Sequence, residues 1–171
     1  MRARMLLLAL AIAGAGCGGT VSDSELDALR QAPGPPMYWV GTSFAGLRLT
    51  HAEGGSPGRR AFFGYGECDP GPHGGCPIPI QIQHSAPFSP AKISKHVSCA
   101  RTTIRGVPAA MFDGLDVYTR DVVVRIYARS TPEAIRVAKA MRPINRRAAP
   151  GGPLPPPPPE TERALGRCSR R

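Results

Sequence analysis

Apart from one run near the start, Met5 to Ala13, apolar residues along this chain gather in short runs between Met37 and Asn145, and the remaining flanks are polar or rich in Pro and Gly. Within that stretch several segments alternate with the two-residue period of a strand half-buried on a sheet. Ile78, Ile80 and Ile82 alternate with Pro79, Gln81 and Gln83, and Leu47 and Leu49 alternate with polar neighbours. Pro79 cannot donate to a ladder, which places that strand at an edge or at its own start. Ala61-Phe62-Phe63-Gly64-Tyr65 is aromatic and β-favouring, and Thr102 to Phe112 reads as one further strand interrupted at Gly106 and Pro108. Leu115 to Tyr118 and Val122 to Ala128 form the clearest pair, a hairpin turning at Thr119-Arg120-Asp121.

One segment has helical spacing instead. Ala134, Ile135, Ala138 and Met141 recur on one face, with Ser130 or Thr131 as cap, Pro132 in the first turn and Pro143 as the stop. Ser130 with Glu133 has the spacing of a capping box, in which a hydroxyl and a carboxylate satisfy each other's free backbone amides. Ser22 with Glu25 repeats that spacing upstream, where Leu26, Ala28 and Leu29 support a turn or two of helix, marginal without packing. A hairpin followed by a helix predicts an α+β fold, a small antiparallel sheet of about five or six strands with one C-terminal helix packed on it. The periodicity does not set the strand order.

The predicted organisation is therefore a leader over residues 1–16, an N-terminal tether over 17–36, a domain over 37–145 and a disordered tail over 146–171. Composition favours such flanks: Gly and Pro each number 20 of 171 residues, near the level of low-complexity chains. The tail carries Gly151-Gly152-Pro153, five consecutive prolines from Pro155 to Pro159 and an Arg-rich end. It reads as an extended spacer of roughly 3.1 Å per residue.

Formal net charge is +10, and nearly all of the positive charge is Arg. Such a protein is drawn to anionic lipid, anionic wall polymer or nucleic acid. The charge is scattered without interleaved aromatics, so the pattern gives no support to nucleic-acid binding.

The first seventeen residues carry the most specific signal. Arg2 and Arg4 precede an apolar run from Met5 to Ala13, and Gly14-Ala15-Gly16 leads directly into Cys17. The run is about half the length needed to span a bilayer. This arrangement resembles a bacterial lipoprotein signal peptide, although Gly14 stands where such signals usually carry an aliphatic residue. The resemblance implies cleavage before Cys17, lipid on its thiol, and an extracytoplasmic protein anchored to the membrane. Cleavage as an ordinary secretory signal, giving a secreted protein, is the alternative.

Cys68, Cys76, Cys99 and Cys168 remain, an even number that points to disulfides in an exported chain. Cys68 and Cys76 bracket a turn-rich loop and are the favoured pair, with Cys76–Cys99 and Cys68–Cys99 as alternatives. Cys168 is free, paired with Cys99, or linked to another molecule. His73 and His96 lie near these cysteines, but the spacing C-x7-C with single histidines is not that of a zinc site, and no metal or cofactor is assigned. No C-x-x-C, G-x-S-x-G, H-E-x-x-H or P-loop occurs. Cys99 with His51 or His84 lacks any supporting pattern, and Asp113 with Asp116 suits a turn before a strand, so no catalytic residue is assigned. Tyr38, Trp39 and Phe44 form the densest aromatic patch. They read chiefly as core, with a sugar or small-ligand platform as the functional alternative.

The run from Tyr38-Trp39-Val40-Gly41 to Phe44-Ala45-Gly46-Leu47, the Phe63-Gly64-Tyr65-Gly66 segment leading to Cys68, and Arg105-Gly106-Val107-Pro108 together resemble a group of uncharacterised exported lipoproteins of high-GC bacteria. The resemblance covers roughly residues 37–145 and implies an anchored domain, with no activity attached. The expected function is a non-enzymatic envelope lipoprotein that binds a ligand or an envelope protein. A wall-associating protein acting through its basic, Pro-rich tail is the alternative, followed by a thiol- or metal-dependent enzyme.

Overall fold

The computed structural model describes residues 20–54, 61–67, 77–87, 100–147, 151–166 and 169–170. The fold is α+β and is dominated by an antiparallel sheet. In chain order its strands are β2 (Ser43–Phe44), β3 (Leu47–Glu53), β4 (Phe62–Tyr65), β5 (Ile80–Ser85), β6 (Ala100–Ile104), β7 (Val107–Met111), β8 (Leu115–Tyr118) and β9 (Val123–Tyr127). In space they run β2-β3-β4-β5-β9-β8-β7-β6. A two-residue strand, β11 (Ser169–Arg170), lies parallel to β6 at one edge. The short strands β1 (Tyr38–Trp39) and β10 (Arg142–Pro143) pair separately.

The sheet has more strands than the five or six expected, because two hairpins are shorter than the periodicity reveals. The segment read as one strand from Thr102 to Phe112 folds back on itself, with Ile104 opposite Val107. Arg105 and Gly106 between them have φ of 50° and 86°. A two-residue loop with both residues left-handed matches the right-handed twist of paired strands, and glycine adopts that conformation without steric cost. The same two-residue geometry, on Ala45 and Gly46, joins β2 to β3. The hairpin expected after Leu115 is present, with Tyr118 opposite Val123. Its four-residue loop is closed by Thr119, whose hydroxyl donates to the Val122 carbonyl at 2.7 Å.

Three helices pack on this sheet where one was expected. Helix α1 (Asp23–Gln31) forms the complete capping box: Glu25 N–H donates to the Ser22 hydroxyl, and Ser22 N–H donates to the Glu25 carboxylate at 2.7 Å. Residues 17–36 were read as a tether, but α1 buries Leu26 and Leu29 in the main core. Gly54 lies beneath this packing: a Cβ there would stand 2.8 Å from both Leu29 Cδ2 and Met37 Sδ, so those side-chain ends would have to shift. Asn145 fixes the connection that follows. It accepts from Met37 N–H at 3.0 Å and donates to the carbonyls of Ala32 and Pro35.

Helix α2 (Thr131–Ala140) is capped by Ser130 and buries Ala134, Val137 and Ala138 against β6, β8 and β9. Glu133 does not close a capping box with Ser130. Its carboxylate turns back to the backbone N–H and guanidinium of Arg129, and that charge-assisted bonding lowers its pKa.

The C-terminal segment departs furthest from expectation. Residues 146–171 were read as a disordered tail, yet the described part from 151 to 166 is packed. The Arg105 guanidinium donates to the carbonyls of Gly152 and Met141. Leu154 N–H donates to the Arg105 carbonyl, and Arg120 N–H donates to that of Pro155. The prolines therefore form a strap across the end of the sheet that carries the β6–β7 and β8–β9 turns. Leu154 and Pro157 are buried beneath it. Beyond the prolines, helix α3 (Pro159–Leu165) lies on the other side of the sheet. There Ala164 and Leu165 join Ala110, Tyr118 and Val123 in a second apolar cluster. Composition indicated extension correctly; it could not show that an extended, pre-stiffened segment has apolar points of attachment.

Candidate functional site

Strand alternation sorts the side chains of the sheet onto two faces. One face carries Phe63, Tyr65, Ile80, Ile82, Leu115, Val117, Val124 and Ile126 into the main core under α1, α2 and residues 37–40. The opposite face carries polar groups. The cross-strand partners Phe62, Gln83, Arg125, Asp116, Ala110 and Arg101 form one continuous row across six strands. Gly64, Gln81 and Tyr127 form the adjacent row. Helix α3 covers the end of this face near β7, and Phe62, Gln81, Gln83, Arg125 and Tyr127 are left half-buried.

The centre of the row is an ion pair. Arg125 Nε donates to Asp116 Oδ1 at 2.6 Å and Nη2 donates to Oδ2 at 2.7 Å, a bidentate geometry that fixes both planes. The Asp116 side chain is 1% exposed and that of Arg125 25%, so the carboxylate is removed from water while the cation keeps one side at the surface. Hydrogen bonding to Asp116 raises the Arg125 pKa further above its ordinary value. Burial, reinforced by the neighbouring Asp116 carboxylate, raises that of the Tyr118 phenol. Tyr127 donates to Asp113 at 3.3 Å. Asp113 and Asp116 thus each hold a separate structural partner and do not form a carboxylate pair.

Among the histidines considered, His84 is buried in the main core. Its Nε2 accepts from Tyr38 N–H at 2.7 Å, and its Nδ1 lies 3.1 Å from the Ala61 carbonyl. One bond requires an unprotonated nitrogen and the other a protonated one, so the fold selects the neutral Nδ1–H tautomer. Desolvation lowers its pKa to about 4. Both nitrogens are occupied in holding β1 and residue 61 to β5, which leaves neither for a nucleophilic cysteine. His51 is exposed on β3 beside the Thr50 hydroxyl.

Tyr38 and Trp39 are core residues, 3% and 5% exposed. The Arg142 guanidinium lies 5.9 Å from the Trp39 ring centroid, and Val40 N–H donates to the Tyr65 hydroxyl at 3.1 Å. Buried rings capped by a cation do not form an open stacking platform. Phe44 is half-buried and packs against the same core. Cys17, Cys68, Cys76, Cys99, Cys168, His73 and His96 all lie outside the described residues.

The polar row was missed in the sequence because it depends on the register of the hairpin, one residue away from the one read there. A hairpin with Tyr118 opposite Val123 places every pair at equal distances from the turn, and Asp116 then meets Arg125. Compared with protein-family models, curated proteins and solved structures, the chain matches none.

Proposed function

We propose that this protein is a lipid-anchored lipoprotein of the cell envelope whose α+β domain is a binding head. The observation that carries the reading is the run of small residues leading into Cys17 behind a charged and then apolar leader. Lipid on that thiol holds a chain at a membrane through buried acyl carbons, and stable attachment needs more than one acyl chain. Among the described residues no helix is long and apolar enough to cross a membrane. The buried ionisable groups of the domain favour binding over chemistry, because His84, Asp116 and Glu133 are each spent on a structural partner. Among the described residues, the half-buried polar face of Gln81, Gln83, Arg125 and Tyr127, presented on strands, is the surface that supports recognition.

Intact mass of protein purified from membranes of a native-like host tests the anchor. The expected species begins at Cys17 and carries a diacylglyceryl-sized increment, and Cys17→Ala moves the protein to the soluble fraction. An unlipidated chain released to the medium would overturn the anchored reading. For the head, a photo-crosslinking residue at Gln83 should give adducts with an envelope component, while one at the exposed Lys139 on α2 should not. Equal labelling from both positions would remove the assignment of that face.

A further inference from the structure

We infer that the side chains grouped around Gln81 and Gln83 form a platform for an uncharged glycan strand, with Phe62 and Tyr127 as its two stacking surfaces. The inference rests on the binding-head reading and names the chemistry of what that face takes. Across β4, β5 and β9 the register sets six residues in two rows, Phe62-Gln83-Arg125 and Gly64-Gln81-Tyr127. With strands about 4.8 Å apart and a rise of about 3.4 Å per residue, Phe62 and Tyr127 stand at opposite corners, roughly 12 Å apart at their Cα atoms. A short oligosaccharide laid across the amides reaches both.

Each ring leans over a glycine. A Cβ at Gly114 would stand 3.2 Å from both Cδ1 and Cε1 of Tyr127, and one at Gly64 would stand 3.3 Å from Cε1 of Phe62. A ring lying over bare backbone turns a face outward, whereas a ring upright among side chains turns an edge. Tyr127 is also held at its hydroxyl, which donates to Asp113 at 3.3 Å and accepts from the Arg125 guanidinium. Among the described residues, both rings are half-buried and neither belongs to either apolar cluster. The C–H face of a sugar ring is apolar and slightly positive, and it packs on the negative face of an aromatic ring.

The amides between the rings are oriented by their own bonds. Gln83 Nε2 donates to Gln81 Oε1 at 3.3 Å, and Gln81 Nε2 donates to the Ile78 carbonyl at 3.5 Å. Each amide has a second N–H and further lone pairs beyond these bonds. Hydroxyl and acetamido groups both donate and accept, so they match that capacity. The charges of the platform are matched internally, because Arg125 holds Asp116 in the bidentate pair. An anionic ligand has to compete with that carboxylate, and an uncharged one does not.

Calorimetric titration of the full chain, solubilised from host membranes in a detergent without sugar head groups, tests the inference. The probes are N-acetylchitohexaose, which carries acetamido groups, and cellohexaose, which carries hydroxyls alone. Saturable binding of at least one is expected, with Kd below about 1 mM. Phe62→Ala and Tyr127→Ala should each weaken it at least about tenfold, whereas Tyr127→Phe keeps the ring and should stay within about threefold. Urea midpoints show that each variant is folded. In the unaltered chain the side-chain amide NMR signals of Gln81 and Gln83 should shift on titration. Shifts at Asn145 with none at the two glutamines would overturn the inference, as would binding retained in full by both alanine variants. Absence of saturable binding of either sugar up to about 10 mM would also overturn it. Photo-crosslinking from Gln83 then separates the two readings: adducts with an envelope protein keep the face as a binding surface and remove the glycan. No adducts and no sugar binding remove both.

Discussion

His84 shows how much a single side chain can commit a fold. It joins three segments through two backbone hydrogen bonds, and it can do so only when neutral. Its folded pKa of about 4 lies below the value near 6.5 of an unfolded chain, so between those values the unfolded state binds the extra proton. Stability from this site is therefore complete above about pH 6.5 and falls as the pH drops toward 4. At pH 5 the loss should be about 2 kcal/mol relative to pH 7.5, measured as a shift in urea midpoint. His84→Gln has no proton to gain and should lower stability at both pH values while removing most of that slope. A slope retained in the variant would place the pH sensitivity elsewhere.

At the scale of elements, register decides what the strands bring together. A turn at Thr119-Arg120-Asp121 was read from composition, whereas the structural loop has four residues, 119 to 122. That difference of one residue sets Asp116 against Val124 in the expected pairing and against Arg125 in the actual one. A one-residue slip exchanges the faces of a strand, so the hairpin was legible and the ion pair was not. The pair also makes the register measurable. Removing Asp116 alone leaves a mostly buried guanidinium without its carboxylate, and Asp116→Ala should cost about 2–3 kcal/mol, discounted for the part of Arg125 that reaches water. Arg125→Ala should cost less in that background than it does alone. Additive losses in the double-mutant cycle would mean that the two side chains do not depend on each other. Helix α2 and the α+β class followed from periodicity and capping residues. The Arg105-Gly106 hairpin did not, because Gly106 and Pro108 were read as interruptions of one strand and not as a turn between two. The buried position of Tyr38 and Trp39 agreed with the ordinary reading of aromatics at a strand start. The cap and first turns of α1 were read as well, but its packing was not, because the core that Leu26 and Leu29 enter is built from residues far along the chain.

Across the whole molecule, the sheet supports two apolar clusters that are completed from opposite ends of the sequence. The N-terminal helix and α2 close the larger one, and α3 closes the smaller after the prolines have carried the chain around the sheet end. The stiffness of that proline run limits the freedom lost when it docks, because proline restricts the unfolded chain as well. A chain ending at Pro158 keeps the strap and lacks β11 and α3, the latter with its contacts to Ala110, Tyr118 and Val123. It should be digested by thermolysin at least about tenfold faster than the full chain, the population of open forms rising by that factor for about 1.4 kcal/mol lost. Equal resistance would show that the larger cluster holds the sheet unaided.

The same closing helix sets the order in which the fold can come apart. It reaches the sheet by way of the strap, and its apolar residues Ala164 and Leu165 belong to the smaller cluster. A pull on α3 therefore peels the smaller face open before it strains the larger one.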